Sequence, residues 1–143
     1  MYKKNISTAM LCAFAAIAGF TAFAHMSCIY LGPGCYQAQM APPQLIESAK
    51  NGTLLAPIAT VFVSALFVIC GLFALSAAGL IKILPFLTTA SYGISAVCLV
   101  RGVATIPLSF LYPQMVSGFS ITAGAIWFIA GLLFLFGFRM QKF

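Results

Sequence analysis

The stretch LLAPIATVFVSALFVICGLFALSAAG, residues 54–79, decides the fold class. It contains no charged residue and no regular alternation of polar and apolar positions. A helix needs about 20 mostly apolar residues to cross a bilayer, because each residue adds about 1.5 Å. A strand of a membrane barrel would instead alternate in hydrophobicity over about ten residues. We therefore predict a membrane-spanning helix over this stretch.

Three further stretches meet the same criterion. The four predicted helices cover about residues 8–28, 54–79, 85–107 and 116–138, and the segment 29–53 joins the first two. The composition also indicates a membrane protein, because 63% of the 143 residues are hydrophobic and only 6% are charged. Soluble domains contain roughly 25% charged residues. The sequence predicts an all-α protein with a single membrane domain over residues 1–143, built as a four-helix transmembrane bundle with a short helix in the segment 29–53.

The basic residues predict the orientation of these helices. Lys3 and Lys4 precede the first helix, Lys82 lies between the second and third, and Arg139 and Lys142 follow the fourth. Four crossings place all five on one side, and cytoplasmic loops are the ones enriched in Lys and Arg. We expect a multi-pass protein of the bacterial inner membrane with both termini in the cytoplasm. The basic residues flank apolar runs and form no stripe, so nucleic acid is not an expected partner.

The N-terminal stretch has a second interpretation. A basic start, an Ala-rich apolar run and the small residues of Ala22-Phe23-Ala24 are also typical of a cleaved signal peptide. The apolar run is longer than the 7–15 residues usual for such a peptide, which favours a retained helix. Cleavage after Ala24 would leave three helices in the same orientation.

Glycine and proline predict where helices begin and end. Gly79 suits the left-handed conformation that closes a helix, and Pro85 suits the first turn of the next one. Pro107 is expected to end the third helix. In PPQLIESAKNG, residues 42–52, Pro43 suits the start of a short helix and Gly52 its end.

Arg101 is a charged residue inside the predicted third helix. It follows Pro85 by 16 residues, which is about 24 Å at 1.5 Å per residue, so it lies in the outer third of the membrane. Three partners are open: lipid phosphates reached by outward bending of the side chain, the carboxylate of Glu47, which is the only acidic residue of the chain, and a substrate anion. An ion pair with Glu47 would fix the segment 29–53 to the third helix.

Small and polar residues form one face of the third helix. Ser91, Ser95, Cys98, Gly102 and Thr105 follow one another at steps of four and three. Such a face favours close helix packing, with hydroxyl groups bonding between helices. A polar pathway for a solute or for protons is the alternative, although the helix contains no carboxylate to relay protons. Small residues also recur every seven positions in the second and fourth helices: Ser64, Gly71, Ala78, Ser117, Gly124 and Gly131.

Cys28 and Cys35 are the candidates for a disulfide. They flank Gly32-Pro33-Gly34, where the chain can reverse and bring two sulfurs together, and their predicted side of the membrane is oxidising. A catalytic dithiol is disfavoured because the spacing is not CxxC. His25 with Cys28 and nearby methionines would suit copper(I), but the set is sparse. We expect no metal and no cofactor.

No motif of a known catalytic site occurs, and one acid and one histidine leave few candidates for acid–base catalysis. The predicted function is that of a non-enzymatic integral membrane protein acting as an accessory or assembly partner. The alternative is a small transporter or channel that uses the polar face beside Arg101. The expected partners are the lipid bilayer and either another membrane protein or a second copy of the chain.

Three motifs carry a family resemblance. They are Ala41-Pro42, the turn ALSAAGLI with the following Leu84-Pro85, and Leu99-Val100-Arg101-Gly102. Over roughly residues 30–107 the chain resembles small bacterial inner-membrane proteins with four helices. The resemblance implies a bacterial origin and the helix count, and it implies no activity.

Overall fold

The computed structural model describes residues 2–113 and 117–141, and these residues form helices and turns without a strand. The six helices are α1 Tyr2–Leu31, α2 Pro33–Ala38, α3 Pro43–Lys50, α4 Leu55–Ala77, α5 Leu87–Leu111 and α6 Gly118–Met140. Four of them, α1, α4, α5 and α6, are long and apolar enough to cross a membrane. The all-α class and the four membrane-spanning candidates are therefore confirmed.

The helix bounds differ from the predicted ones mainly at the ends. Helix α1 is longer than the predicted stretch 8–28, because Lys3 and Lys4 at one end and Tyr30 at the other remain helical. The predicted start of the fourth helix at Val116 and the basic residue Lys142 lie outside the described residues.

The prediction that Pro107 ends the third helix is wrong, because α5 continues through Pro107 to Leu111. Proline lacks the N–H that bonds four residues back, but membrane helices tolerate it where hydroxyl groups bond to nearby carbonyls. The Ser109 hydroxyl lies 2.8 Å from the Thr105 carbonyl oxygen and 2.7 Å from that of Ile106. The Thr105 hydroxyl donates to the Arg101 carbonyl at 3.2 Å. These bonds span the turn that contains Pro107.

The turn between α4 and α5 is closed by Gly79, as predicted. Gly79 has φ +73°, its N–H donates to the Ser76 carbonyl, and the Leu80 N–H donates to the Leu75 carbonyl, both at 3.0 Å. This is the Schellman arrangement of a helix end. The Ser76 side chain then bridges the turn, because its hydroxyl donates to the Lys82 carbonyl and accepts from the Leu84 N–H.

The prediction that Pro85 lies in the first turn of the third helix is wrong by two residues. The helix begins at Leu87, and its N-cap Phe86 has φ +56° in the left-handed region. That conformation interrupts the helical path between Pro85 and Leu87.

The contacts of the chain define two compact units. Unit 1 comprises Met1–Ile17 with Cys70–Phe143, and unit 2 comprises Ala18–Ile69. The single membrane domain stays a prediction.

Unit 1 contains segments of all four long helices. Helix α1 packs against the end of α6, where the Ser7 hydroxyl donates to the Gly137 carbonyl at 2.7 Å. The rings of Phe14 and Phe134, both fully buried, lie 4.6 Å apart. Close to the same end, Tyr92 of α5 meets Phe138 of α6 edge to face. The beginnings of α1 and α5 therefore lie at the same end of unit 1 as the end of α6.

Unit 2 contains the later part of α1, the short helices α2 and α3, and the first part of α4. The Ser64 hydroxyl of α4 donates to the Ala22 carbonyl of α1 at 3.2 Å. Cys28, Tyr36 and Ala56 form a small buried cluster, and Ile46 of α3 packs against it. The segment 29–53 is thus attached to two long helices by apolar contacts.

Candidate functional site

The disulfide candidate is present in the structure, with the sulfurs of Cys28 and Cys35 2.00 Å apart and their Cα atoms 5.1 Å apart. The reversal between them occurs at Gly32, whose φ is +77°. The Gly32 N–H donates to the Cys28 carbonyl, and the Cys35 N–H donates back to the Gly32 carbonyl. The bond joins the end of α1 to α2, a helix that the sequence analysis did not predict.

The short helix predicted in PPQLIESAKNG is confirmed as α3, Pro43–Lys50. Gly52 follows it with φ +66°, which is the conformation expected beyond a helix end. Ser48, on the buried side of α3, bonds to the Thr53 hydroxyl at 2.6 Å and accepts from the Ala56 N–H at 2.9 Å. These bonds fix α3 to the first turn of α4.

A cavity of about 240 Å³ lies within unit 2 between α1, α2, the start of α3 and α4. Its lining combines polar and apolar side chains, among them His25, Tyr36, Gln39, Met40, Thr60 and Val63. Most of the exposed lining is apolar, and a few placed polar groups within an apolar wall are typical of small-molecule sites. This cavity is the candidate binding site of the chain.

Gln39 determines which ring nitrogen of His25 donates a hydrogen bond. The Gln39 amide nitrogen donates to the Ala24 carbonyl at 2.9 Å, so the amide oxygen faces His25 and accepts from Nδ1 at 2.5 Å. A neutral imidazole that carries its proton on Nδ1 has an acceptor lone pair on Nε2. The His25 ring also packs against Phe67, with the ring centres 5.4 Å apart.

Tyr36 and Thr60 form the second polar pair of the cavity. The Thr60 hydroxyl donates to the Ala56 carbonyl at 2.7 Å. Its oxygen therefore accepts from the Tyr36 hydroxyl, which lies 2.9 Å away. The pair joins α2 to α4 at the cavity wall, and it leaves the Tyr36 oxygen able to accept a further hydrogen bond.

The sequence indicated His25 and Cys28 of this site as metal-ligand candidates with nearby methionines, of which Met40 is one, and it predicted Tyr36 at the outer membrane interface. It indicated no role for Gln39 or Thr60. The one available signal was the spacing of Cys35 and Gln39, four residues apart and hence on one face of a helix. This spacing is informative only when residues 33–38 are known to be helical. The glycine and the proline in that stretch argued against a helix.

Arg101 is exposed on α5. Val97 and Val100, which precede it, are 69% and 67% exposed, and Leu108 two turns further on is also exposed. Glu47 is exposed on α3. Arg101 belongs to unit 1 and Glu47 to unit 2, and their ion pair stays a prediction.

The polar face of α5 is buried against α6 within unit 1. Its five residues, Ser91, Ser95, Cys98, Gly102 and Thr105, are all buried. A methyl group added to Gly102 would lie 2.5 Å from Phe128 Cβ and 2.9 Å from the Gly124 carbonyl oxygen. The close approach of the two backbones leaves no channel at this level of the contact.

Two hydroxyl groups at the other end of this face differ in their bonding. The Ser95 hydroxyl donates to the Ser91 carbonyl at 2.8 Å. The Ser91 hydroxyl oxygen is buried and has no hydrogen-bond partner among the described residues. The hydroxyl groups of this face therefore bond mainly to carbonyl groups of their own helix.

Three cysteines lie outside the disulfide. Cys12, Cys70 and Cys98 are free thiols, and Cys98 is buried in the contact with α6. Within residues 2–113 and 117–141, no group of three or more His, Cys, Asp or Glu side chains could hold a metal ion.

Comparison with known proteins gave no match: no family model fits the sequence, and no curated protein or solved structure is significantly similar to it. The resemblance to small bacterial inner-membrane proteins therefore stays an expectation.

Proposed function

We propose that the chain is a non-enzymatic, multi-pass protein of the bacterial inner membrane that acts as an accessory subunit of another membrane protein. In this proposal both termini lie in the cytoplasm and the segment 29–53 lies outside. The exposed Arg101 on an otherwise apolar helix surface is the observation that carries the proposal.

The non-enzymatic part rests on what the reactive groups do in the fold. Cys28 and Cys35 are joined to each other, and the hydroxyls of Thr60 and Ser64 donate to carbonyls of the long helices. Glu47, the only carboxylate side chain, is exposed on α3. Acid–base catalysis needs a positioned proton donor or acceptor beside the reacting group, and these groups are already used for structure or stand apart. The single histidine, His25, is bonded through Nδ1 to the Gln39 amide, and no carboxylate side chain lines its cavity.

The partner contact is inferred from the position of Arg101. It follows Leu87 by 14 residues and precedes Leu111 by 10, which at 1.5 Å per residue is about 21 Å and about 15 Å. A charged side chain at the centre of a membrane helix costs roughly 2.5–3.5 kcal/mol, and the cost is lower in the outer third, where Arg101 is expected to lie. Charged residues within membrane helices usually pair or face protein. Unit 1 contains no carboxylate side chain. A membrane helix of another protein with an Asp or Glu in its outer part would supply the missing charge.

Photocrosslinking in cells tests this contact. A benzophenone amino acid at Val97, one turn before Arg101, is expected to form an adduct with one membrane protein. Arg101→Gln should abolish that adduct, and so should replacement of the partner's membrane-embedded Asp or Glu by its amide. Position 103, which is also exposed but lies on another side of α5, serves as the control and should give no such adduct.

Four outcomes would contradict the proposal. Adducts with lipid alone would assign Arg101 to phosphate headgroups. Adducts with residues 41–53 of the same chain would assign it to Glu47. Adducts with a second copy, or adducts that survive Arg101→Gln, would also overturn the assignment to a different membrane protein.

The alternative of a small transporter or channel is weakened by the packing of the polar face. Gly102 and Gly124 bring α5 and α6 into direct contact where a solute would have to pass. The buried Ser91 hydroxyl without a partner is the single feature in its favour, and one hydroxyl does not make a pathway.

A further inference from the structure

We propose that the cavity of unit 2 binds a small, uncharged aromatic alcohol whose hydroxyl group donates a hydrogen bond to His25. This site is independent of the Arg101 surface, and its ligand class follows from the volume, charge and hydrogen-bonding pattern of the cavity.

The volume fits one substituted ring. The cavity measures about 240 Å³, whereas a cavity of roughly 150 Å³ accommodates benzene. Drug-sized ligands occupy pockets of about 300–1,000 Å³, so the part of a ligand that this cavity holds is small. A phenol ring with a short substituent matches the available space.

The charge of the lining excludes ionic ligands. Glu47 and Lys50 are the formally charged residues of unit 2, and neither lines the cavity. A buried ion without a counter-charge or a set of hydrogen bonds is strongly disfavoured. The lining thus favours a neutral ligand, and the apolar wall formed by Leu45, Ala59 and Val63 favours hydrocarbon.

His25 supplies the acceptor for a ligand hydroxyl. The Gln39 amide oxygen holds the proton of the ring on Nδ1, and the amide itself is oriented by the Ala24 carbonyl. Nε2 is then the acceptor of the neutral ring. A ligand with a hydroxyl donor can satisfy it, whereas the matching ether cannot.

Met40 lines the cavity, and its thioether favours an aromatic ring over an aliphatic one. It is a non-glycine residue with φ +55°, a conformation that costs energy and is maintained only where the surroundings fix it. The Met40 N–H donates to the Gln37 carbonyl, and the Ala41 N–H donates to the Tyr36 carbonyl, which holds this turn at the edge of the cavity. Thioether sulfur makes favourable contacts with aromatic rings.

Binding of phenol and of anisole to the full chain in detergent or nanodiscs tests the proposal. The readout is the ¹³C-methyl signal of Met40, assigned with Met40→Leu, which separates site binding from partition into the detergent. Phenol is expected to shift the signal saturably and to bind about tenfold more tightly than anisole, because only phenol donates a hydrogen bond. His25→Leu should remove that tenfold difference.

Filling the cavity provides the matched pair of variants. Ala59→Leu places a larger side chain in the cavity wall and should abolish the phenol-dependent shift. Ala65→Leu makes the same change at an exposed position of α4 and should leave the shift unchanged. Equal affinities for phenol and anisole in the unmodified chain, or full phenol binding by Ala59→Leu, would overturn the proposal, and the first comparison needs no variant to fold.

Discussion

Gly102 and Gly124 show how single residues set the distance between two helices. Both lie in the contact between α5 and α6, where a methyl group added to Gly124 would meet the side chain of Thr105. At Gly102, the atoms nearest to an added methyl group include backbone atoms of Phe128 and Gly124. Backbone cannot move aside as a flexible side chain can. Small residues at such contacts allow close packing between membrane helices, so these glycines are required for the contact itself.

Gly102→Ala is expected to destabilise the fold by about 1–3 kcal/mol, because overpacking a tight contact forces the backbone to shift. Unfolding in detergent can be followed by the fluorescence of Trp127, the only tryptophan of the chain. Gly93→Ala is the control in the same helix, since nothing lies within 4 Å of the added methyl group. A Gly102→Ala variant as stable as Gly93→Ala would contradict the described contact.

Residue-level prediction from sequence succeeded where the chemistry is local. Cys28 and Cys35 are separated by a Gly-Pro-Gly reversal, so their pairing follows from the chain path over a few residues. Gln39 could not be predicted, because its amide acts on a histidine 14 residues away. That contact exists only after α2 has folded back on α1.

At the scale of elements, the disulfide is expected to stabilise α2 and α3 in their places. Cross-linking positions separated by seven residues removes loop entropy worth about 2.5 kcal/mol in the chain-entropy relation. In the double variant Cys28→Ser/Cys35→Ser, amide exchange over residues 33–50 should accelerate roughly 70-fold, which is the same free energy expressed as an equilibrium constant.

Cys12→Ser is the control for that experiment, because Cys12 is a free thiol on α1, and it should leave the exchange of residues 33–50 unchanged. Alkylation provides a direct check of the bond: the denatured, unreduced chain should take up three alkyl groups, on Cys12, Cys70 and Cys98, and the reduced chain five. Five groups before reduction would show that the disulfide is not formed.

The long helices were predictable because hydrophobic length is a property of sequence alone. The ends of these helices were less predictable. Gly79 closes α4 as expected, since a left-handed glycine is a strong local signal. Pro107 misled the prediction, because a proline removes one N–H donor from a membrane helix without having to end it, and α5 continues to Leu111. Helix α2 was missed because Gly32, which precedes it, and Pro33 and Gly34, which begin it, indicate a turn.

At the scale of the whole molecule, the distribution of charge supports the proposed orientation. In unit 1, the Gln141 amide donates to the Thr8 hydroxyl at 3.1 Å, and the start of α1 adjoins the end of α6. Lys3, Lys4 and Arg139 therefore lie at one end of unit 1. Lys82 precedes α5, whose beginning adjoins the same end of α6. A cluster of basic residues at one end is the pattern of a cytoplasmic face.

The most direct measurement is the accessibility of Lys82 and Lys50 from outside intact cells. Each is replaced by cysteine in a chain whose Cys12, Cys70 and Cys98 are serine, so that the new thiol is the reactive one. A membrane-impermeant maleimide is expected to label Lys50→Cys in intact cells and Lys82→Cys only after the cells are opened. Labelling of Lys82→Cys in intact cells, with Lys50→Cys protected, would contradict the proposed orientation of the chain in the membrane.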